Sequence, residues 1–156
     1  VASIVASHIA PEWVLNIKET GLVWLVNYGD VNNPSITMIE AERFLHDGGW
    51  DSSKRYFLVA ANARNKISII DTKERKHVAN VDTSGIKPHP GRGANWIDPK
   101  YGPVWATGPL GHDVISIIGT APEGHPEPAF KMVPKIPALN SRHLFIKTPP
   151  KSQWVS

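Results

Sequence analysis

The sequence repeats itself. Trp50-Asp51-Ser52-Ser53-Lys54-Arg55-Tyr56-Phe57-Leu58-Val59 lies over Trp96-Ile97-Asp98-Pro99-Lys100-Tyr101-Gly102-Pro103-Val104-Trp105, so that Lys54 falls on Lys100. Further on, Ser68-Ile69-Ile70-x-Thr72 recurs as Ser116-Ile117-Ile118-x-Thr120. A third copy opens at Phe145 and runs to Trp154, with Lys151 in the place of Lys100. The period is roughly 46–49 residues, within the range of repeat β architectures such as propeller blades. A unit of this kind cannot cover both of its own faces, so each copy needs a neighbour.

The segments between these anchors read as strands. Val1 to Ile9 alternates and stops at Pro11, Glu12 to Lys18 is a short strand, and Leu22 to Tyr28 is an apolar run rich in β-formers. Ser35 to Ile39 alternates polar and apolar, as a half-buried strand does. A meander follows, with strands near Phe44 to Trp50, at Tyr56 to Val59, at Lys66 to Thr72 and at His77 to Val81. Fourteen prolines and twelve glycines, spread along 156 residues, mark many short elements and turns. The fold class expected is all-β: about three four-stranded antiparallel blades of a propeller, partial ones included. A closed ring takes about 4–8 blades, and the sequence lacks an initial methionine, so residues 1–156 read as a segment cut at both ends from a longer chain.

Composition removes several functions. There is no cysteine, hence no disulfide, thiolate metal site or cysteine nucleophile. The net charge is +3 with scattered basic residues, and no basic stripe is interleaved with aromatics, which speaks against nucleic acid. The densest basic cluster, Lys73 to His77, contains Glu74 and falls where a hairpin turns, so it reads as a solvated turn. No apolar run approaches the length of a membrane-spanning helix.

Two loops carry the candidate chemistry. Leu45-His46-Asp47-Gly48-Gly49-Trp50 and Pro88-His89-Pro90-Gly91-Arg92-Gly93-Ala94-Asn95-Trp96 each hold a histidine ahead of a tryptophan and a strand. Equivalent loops of neighbouring blades share one face of a propeller, so His46 and His89 are expected to face one site. An imidazole donates and accepts protons near neutral pH. Arg92, between two glycines, can approach a carboxylate-bearing ligand closely. The other histidines show no metal-ligand spacing, and no metal site is read from the sequence.

These same motifs, with Arg55 to Lys66 between them, resemble the haem d1 domain of the cytochrome cd1 dissimilatory nitrite reductases, and the likeness runs from Ile4 to Thr148. The resemblance implies an eight-bladed β-propeller holding haem d1, a separate haem c domain upstream, and reduction of nitrite to nitric oxide. It implies a periplasmic homodimer fed by a small c-type cytochrome or cupredoxin. By resemblance, His46 and His89 are the distal proton donors and Arg92 contacts an acidic side chain of haem d1; no counterpart of the iron's own ligand is present. Departures occur at Pro109, at Pro149 and over Asn140 to His143, and are expected to lie in outer loops away from the histidine pair. The competing expectation is a non-catalytic propeller, either a haem d1 carrier or maturation protein or a repeat-type interaction module.

Overall fold

The computed structural model describes residues 1–139, 141, 145–149 and 151–156. Among them the chain forms twelve strands: β1 (Ser3–Ala6), β2 (Glu12–Ile17), β3 (Leu22–Asn27), β4 (Ser35–Glu40), β5 (Leu45–Trp50), β6 (Tyr56–Ala61), β7 (Lys66–Asp71), β8 (Lys76–Asp82), β9 (Ala94–Asp98), β10 (Gly102–Thr107), β11 (Val114–Gly119) and β12 (Met132–Pro137). A single 3-10 turn, Asn62–Arg64, is the one helical element among the described residues. The strands make three antiparallel meanders, β1-β2-β3-β4, β5-β6-β7-β8 and β9-β10-β11-β12. Three complete four-stranded blades therefore stand where the sequence suggested some partial ones. The third copy expected at Phe145 does not become a strand: over the described residues the tail closes through Lys147 N–H to Ser156 O and Ser156 N–H to Lys147 O, 2.6 and 2.9 Å. Pro149 removes a ladder donor there.

The sheets stack face on face, and that explains their sequences. All six residues of β6 are buried, because both faces of the middle sheet are covered. Phe57, Val59 and Ala61 join Val14, Val23 and Leu25 of the first sheet in one core cluster. Tyr56, Leu58 and Ala60 point the other way and pack with Ile67, Trp105 and Ile118 against the third sheet. A continuous apolar run is what a strand sandwiched on both sides requires. The first sheet has only one face covered: Val5, Val14, Val23 and Leu25 are buried, whereas Ile4, Trp13, Ile36 and Met38 are exposed. Register places Ile4 beside Leu15, Trp24 and Met38, so this exposed face is a continuous apolar surface.

Polar bonds lock the seam between the first two sheets. Trp50 Nε1 donates to Ala6 O at 3.0 Å. Arg75 reaches back from the β7–β8 turn to the buried Glu12 carboxylate, 2.8 Å away, and donates to Thr37 Oγ1. The basic turn is therefore not merely solvated; one of its cations ties two blades together.

Within the middle sheet, Arg55 forms a forked pair with Asp71: Nε lies 3.1 Å from both carboxylate oxygens and Nη2 is 2.6 Å from Oδ2. Burial pushes the Asp71 carboxyl up, but the Arg55 guanidinium and the backbone N–H groups of Glu74 and Lys73 outweigh it and hold the group below the usual carboxylate range. Because the unfolded chain binds this proton more readily, the stabilisation is complete above the ordinary aspartate value of about 3.9 and is lost as pH falls through the lower folded value. Asp71→Ala leaves the partly buried guanidinium with only the exposed Glu123 carboxylate, 3.6 Å away, and is expected to cost about 3 kcal/mol at neutral pH. Asp71→Asn is expected to flatten the loss of stability as pH falls below the ordinary aspartate value of about 3.9. Urea unfolding of the full-length protein across that range checks both; an unchanged acid limb in Asp71→Asn contradicts this account.

Candidate functional site

The two histidines meet. His46 and His89, 43 positions apart, bring their ring centroids to 5.5 Å with a 46° tilt between the planes. Both are half-buried. His46 is the second residue of β5, inside the strand expected near Phe44 to Trp50 and not on a loop ahead of it. His89 lies outside the regular strands, on the lead-in to β9, where Pro88 bridges Pro109. The settings correspond in topology nonetheless. His46 follows Leu45, which pairs with Ala61, and His89 follows Pro88. Each histidine directly follows the residue that opens its sheet's first ladder, and a break in that ladder comes next.

In β5 the break is a bulge. Leu45 pairs with Ala61 and Gly48 with Val59, so three steps on β5 match two on β6. Successive side chains of a regular strand point to opposite faces; a bulge re-aims them. Here it lets the neighbours His46 and Asp47 turn to the same side, with His46 Nδ1 3.1 Å from Asp47 Oδ1. The bulge also takes the His46 carbonyl out of the ladder. That carbonyl instead accepts from the first sheet, from Ser3 Oγ and from Nδ2 of the fully buried Asn16, each at 3.1 Å. The preceding blade thus pins the backbone that carries His46.

Close backbone approach fixes the other half. A Cβ on Gly49 would stand 1.7 Å from the Arg92 carbonyl oxygen, and one on Gly48 would stand 2.4 Å from the Leu58 carbonyl oxygen. The loop that leads into β9 is turned by Pro90, whose carbonyl accepts from the N–H groups of Arg92 and Gly93 at 2.6 and 2.7 Å. Gly93 has φ +71° and lies against the Trp105 indole, where a Cβ would come within 2.2 Å of the ring. His89 itself is tethered by its N–H to Gly108 O at 3.0 Å, and Leu110 N–H donates to Lys87 O at 2.9 Å. Pro109, expected in an outer loop, therefore stands across from Pro88 in the short ladder that carries His89. Of the other two departures, Pro149 lies near Asn95 and Trp96, while Asn140, Arg142 and His143 lie outside the described residues.

Arg92 is brought to the same turn with its side chain exposed. Among the described residues no ion pair engages it; only its backbone is shown to touch β5. Sequence reasoning missed Asp47, although a Gly-Gly pair inside a strand pattern is a recognised sign of a bulge. It also missed that His46, Asp47 and His89 form the one group among the described residues whose donor atoms could hold a metal ion, all within 4.8 Å of one another. Spacing rules cannot see this group, because it is assembled across a seam between blades.

Stacked four-stranded antiparallel meanders, with histidines gathered where first strands begin, define a β-propeller of the kind that builds sites at blade ends. Within that class the chain belongs to the cytochrome D1 heme domain family, whose model matches residues 1–156. It is 55% identical over 158 residues to a nitrite reductase of Stutzerimonas stutzeri, a match covering 98% of this chain and 28% of that protein. Among solved structures it resembles the dihydro-heme d1 dehydrogenase NirN in complex with DHE, with a TM-score of 0.73 and 21% identity over 92% of this chain and 29% of that one. It also resembles Kuenenia stuttgartiensis hydrazine synthase, with a TM-score of 0.74 and 12% identity over 97% of this chain and 40% of that one. These two likenesses show the β-propeller fold.

Proposed function

We propose that this chain is part of the haem d1 propeller of a periplasmic dissimilatory nitrite reductase, and that His46 and His89 are its proton donors. The observation that carries the reading is the imidazole pair held side by side across a blade seam. The reaction consumes protons: NO2⁻ + e⁻ + 2H⁺ → NO + H2O. Two protonated imidazoles can each deliver one proton and, while charged, hold the anion. Asp47, accepting from His46 Nδ1, fixes the tautomer and leaves Nε2 as the atom offered to substrate.

The donor set suits haem d1. Two imidazoles and an exposed guanidinium on one glycine-flanked turn match an anionic substrate and an acidic macrocycle, with Arg92 pairing one carboxylate. Haem d1, when bound, supplies the electron and the iron at which nitrite is reduced. A haem c domain elsewhere in the protein, an eight-bladed ring, a homodimer and a small c-type cytochrome or cupredoxin donor complete the reading. The exposed apolar face of the first sheet supports the ring, since it matches in kind the faces buried at the two seams. The 55% identity to a nitrite reductase, against 21% to the dehydrogenase, favours a reductase over a maturation protein.

The test is reconstitution of the full-length protein with haem d1 and measurement of nitrite-dependent nitric oxide release. His89→Ala and His46→Ala are each expected to slow turnover by about 10²–10⁴-fold with the fold intact. Unchanged turnover in His89→Ala would falsify the assignment. Residues 1–156 alone are expected to show no turnover.

A further inference from the structure

A carboxylate is a poor neighbour for an anion. Asp47 nevertheless stands beside the two imidazoles, aimed there by the β5 bulge, and it is only 19% exposed. Two imidazole nitrogens and a carboxylate oxygen make a chelating set, and all three offer a donor atom within 4.8 Å of the others. We propose that His46, Asp47 and His89 form a divalent transition-metal site, and that an ion there blocks the proton donors.

The geometry is close to what such an ion needs. Ligands about 2.1 Å from a tetrahedral centre stand about 3.4 Å apart. The His46 Nδ1 to Asp47 Oδ1 separation of 3.1 Å already meets that spacing. The widest separation allowed by the cluster has to close by about 1.4 Å, which rotation of a half-exposed imidazole supplies. Support is rigid on both sides. The His46 carbonyl is bonded to Ser3 and Asn16, and His89 N–H is bonded to Gly108 O. Three protein ligands leave a fourth position open to water or an added anion, the arrangement of an accessible rather than a closed site.

The donor chemistry selects the ion. Imidazole with a single carboxylate suits zinc, copper or nickel, whereas calcium and magnesium ask for oxygen ligands. Zinc has no redox chemistry of its own, so its effect reports occupancy alone. It binds a neutral imidazole, on His46 at Nδ1 beside Asp47, and a ring held that way cannot carry the second proton that a donor must deliver. Zinc and protons therefore compete, and occupancy rises with pH. The inhibitory consequence rests on the proton-donor reading of the pair; the binding does not.

The experiment uses the full-length protein in two forms, free of haem d1 and loaded with it. Calorimetric titration with Zn2+ is expected to show one ion per chain that is lost from the His89→Ala variant. Asp47→Ala is expected to weaken that site by about tenfold or more. The electron paramagnetic resonance spectrum of added Cu2+ is expected to show two coordinated nitrogens in the wild type, and fewer in His46→Ala and His89→Ala. In loaded protein, Zn2+ is expected to stop nitric oxide release and a chelator to restore it. Circular dichroism of each variant separates lost ligands from lost fold. Equal zinc affinity and stoichiometry in wild type, Asp47→Ala and His89→Ala overturns the proposal, as does no zinc binding by the wild type. Turnover in chelated buffer judges the proton donors separately. Histidine variants that lose turnover but keep zinc binding sink the metal site alone. Variants that lose zinc but keep turnover sink the proton-donor reading and keep the site.

Discussion

Gly49→Ala is expected to abolish the nitrite turnover proposed for the full-length protein and to destabilise it by about 3 kcal/mol or more, the upper range for overpacking. The reason is local and severe. The added methyl would sit 1.7 Å from the carbonyl oxygen of Arg92. No rotamer change relieves a clash with backbone, so either β5 or the 90–93 turn must move. Gly49 lies three residues after His46, and the turn it meets follows His89, so that movement opens the pair from both ends. The separation of 5.5 Å between the rings is then lost even though neither histidine has changed. Thermal unfolding monitored by circular dichroism, with turnover measured on the same preparation, checks this. A variant that melts with the wild type and retains full turnover shows that the seam is slack, contrary to the packing described.

The second large effect is at Trp105. Its side chain is fully buried in the cluster between the second and third sheets, and Gly93 rests on its indole. Trp105→Ala removes the ring from under the turn that carries Arg92 and is expected to cost about 3–5 kcal/mol. Trp105→Phe is expected to cost less than half of that. The indole N–H has no acceptor among the described residues, so phenylalanine forfeits no hydrogen bond and keeps an aromatic support. Two measurements separate the variants: urea unfolding, and the rate of tryptic cleavage after Arg92, which is exposed at the tip of this turn. Cleavage is expected to accelerate in Trp105→Ala and to stay near the wild-type rate in Trp105→Phe. Equal losses in both variants would mean that the indole's shape is not what supports the turn.

How much of this was legible before the structure depends on whether a feature is local. The recurrence of Ser-Ile-Ile-x-Thr is legible because Ser68 and Ser116 occupy the same buried place in β7 and β11; of the isoleucines after them, Ile69, Ile70 and Ile118 fill the seams and Ile117 is buried within the third sheet's own cluster. The run Tyr56 to Val59 is legible as a strand, which the structure extends to Ala61, and its lack of alternation follows from cover on both faces. The pairing of His46 with His89 could be inferred from repetition, because equivalent ladders put equivalent residues at the same end. The bulge could not be read with the same security. Register is a property of two strands, and nothing in His46-Asp47 alone says that the next paired residue is Gly48. Asp47 stayed invisible as a consequence, since in a regular strand it would point away from its neighbour. Arg75 was misread for a related reason: charge in a turn says solvent, and only the stacked first sheet brings Glu12 beneath it. Pro109 was placed too far away because a bridge between two prolines carries no hydrogen bond of its own; the residues flanking it do.

The His46 carbonyl is gripped by Ser3 and Asn16 of the first sheet, His46 itself belongs to the second, and His89 rides on the approach to the third. No blade owns the pair. During maturation the protein therefore has no partial site to offer: a chain in which one sheet has yet to dock contains both imidazoles but not their juxtaposition. Whatever ligand requires the two together binds only correctly assembled chains and, by mass action, holds them in that state. Loading is then also inspection, and the seam is where a misassembled molecule declares itself.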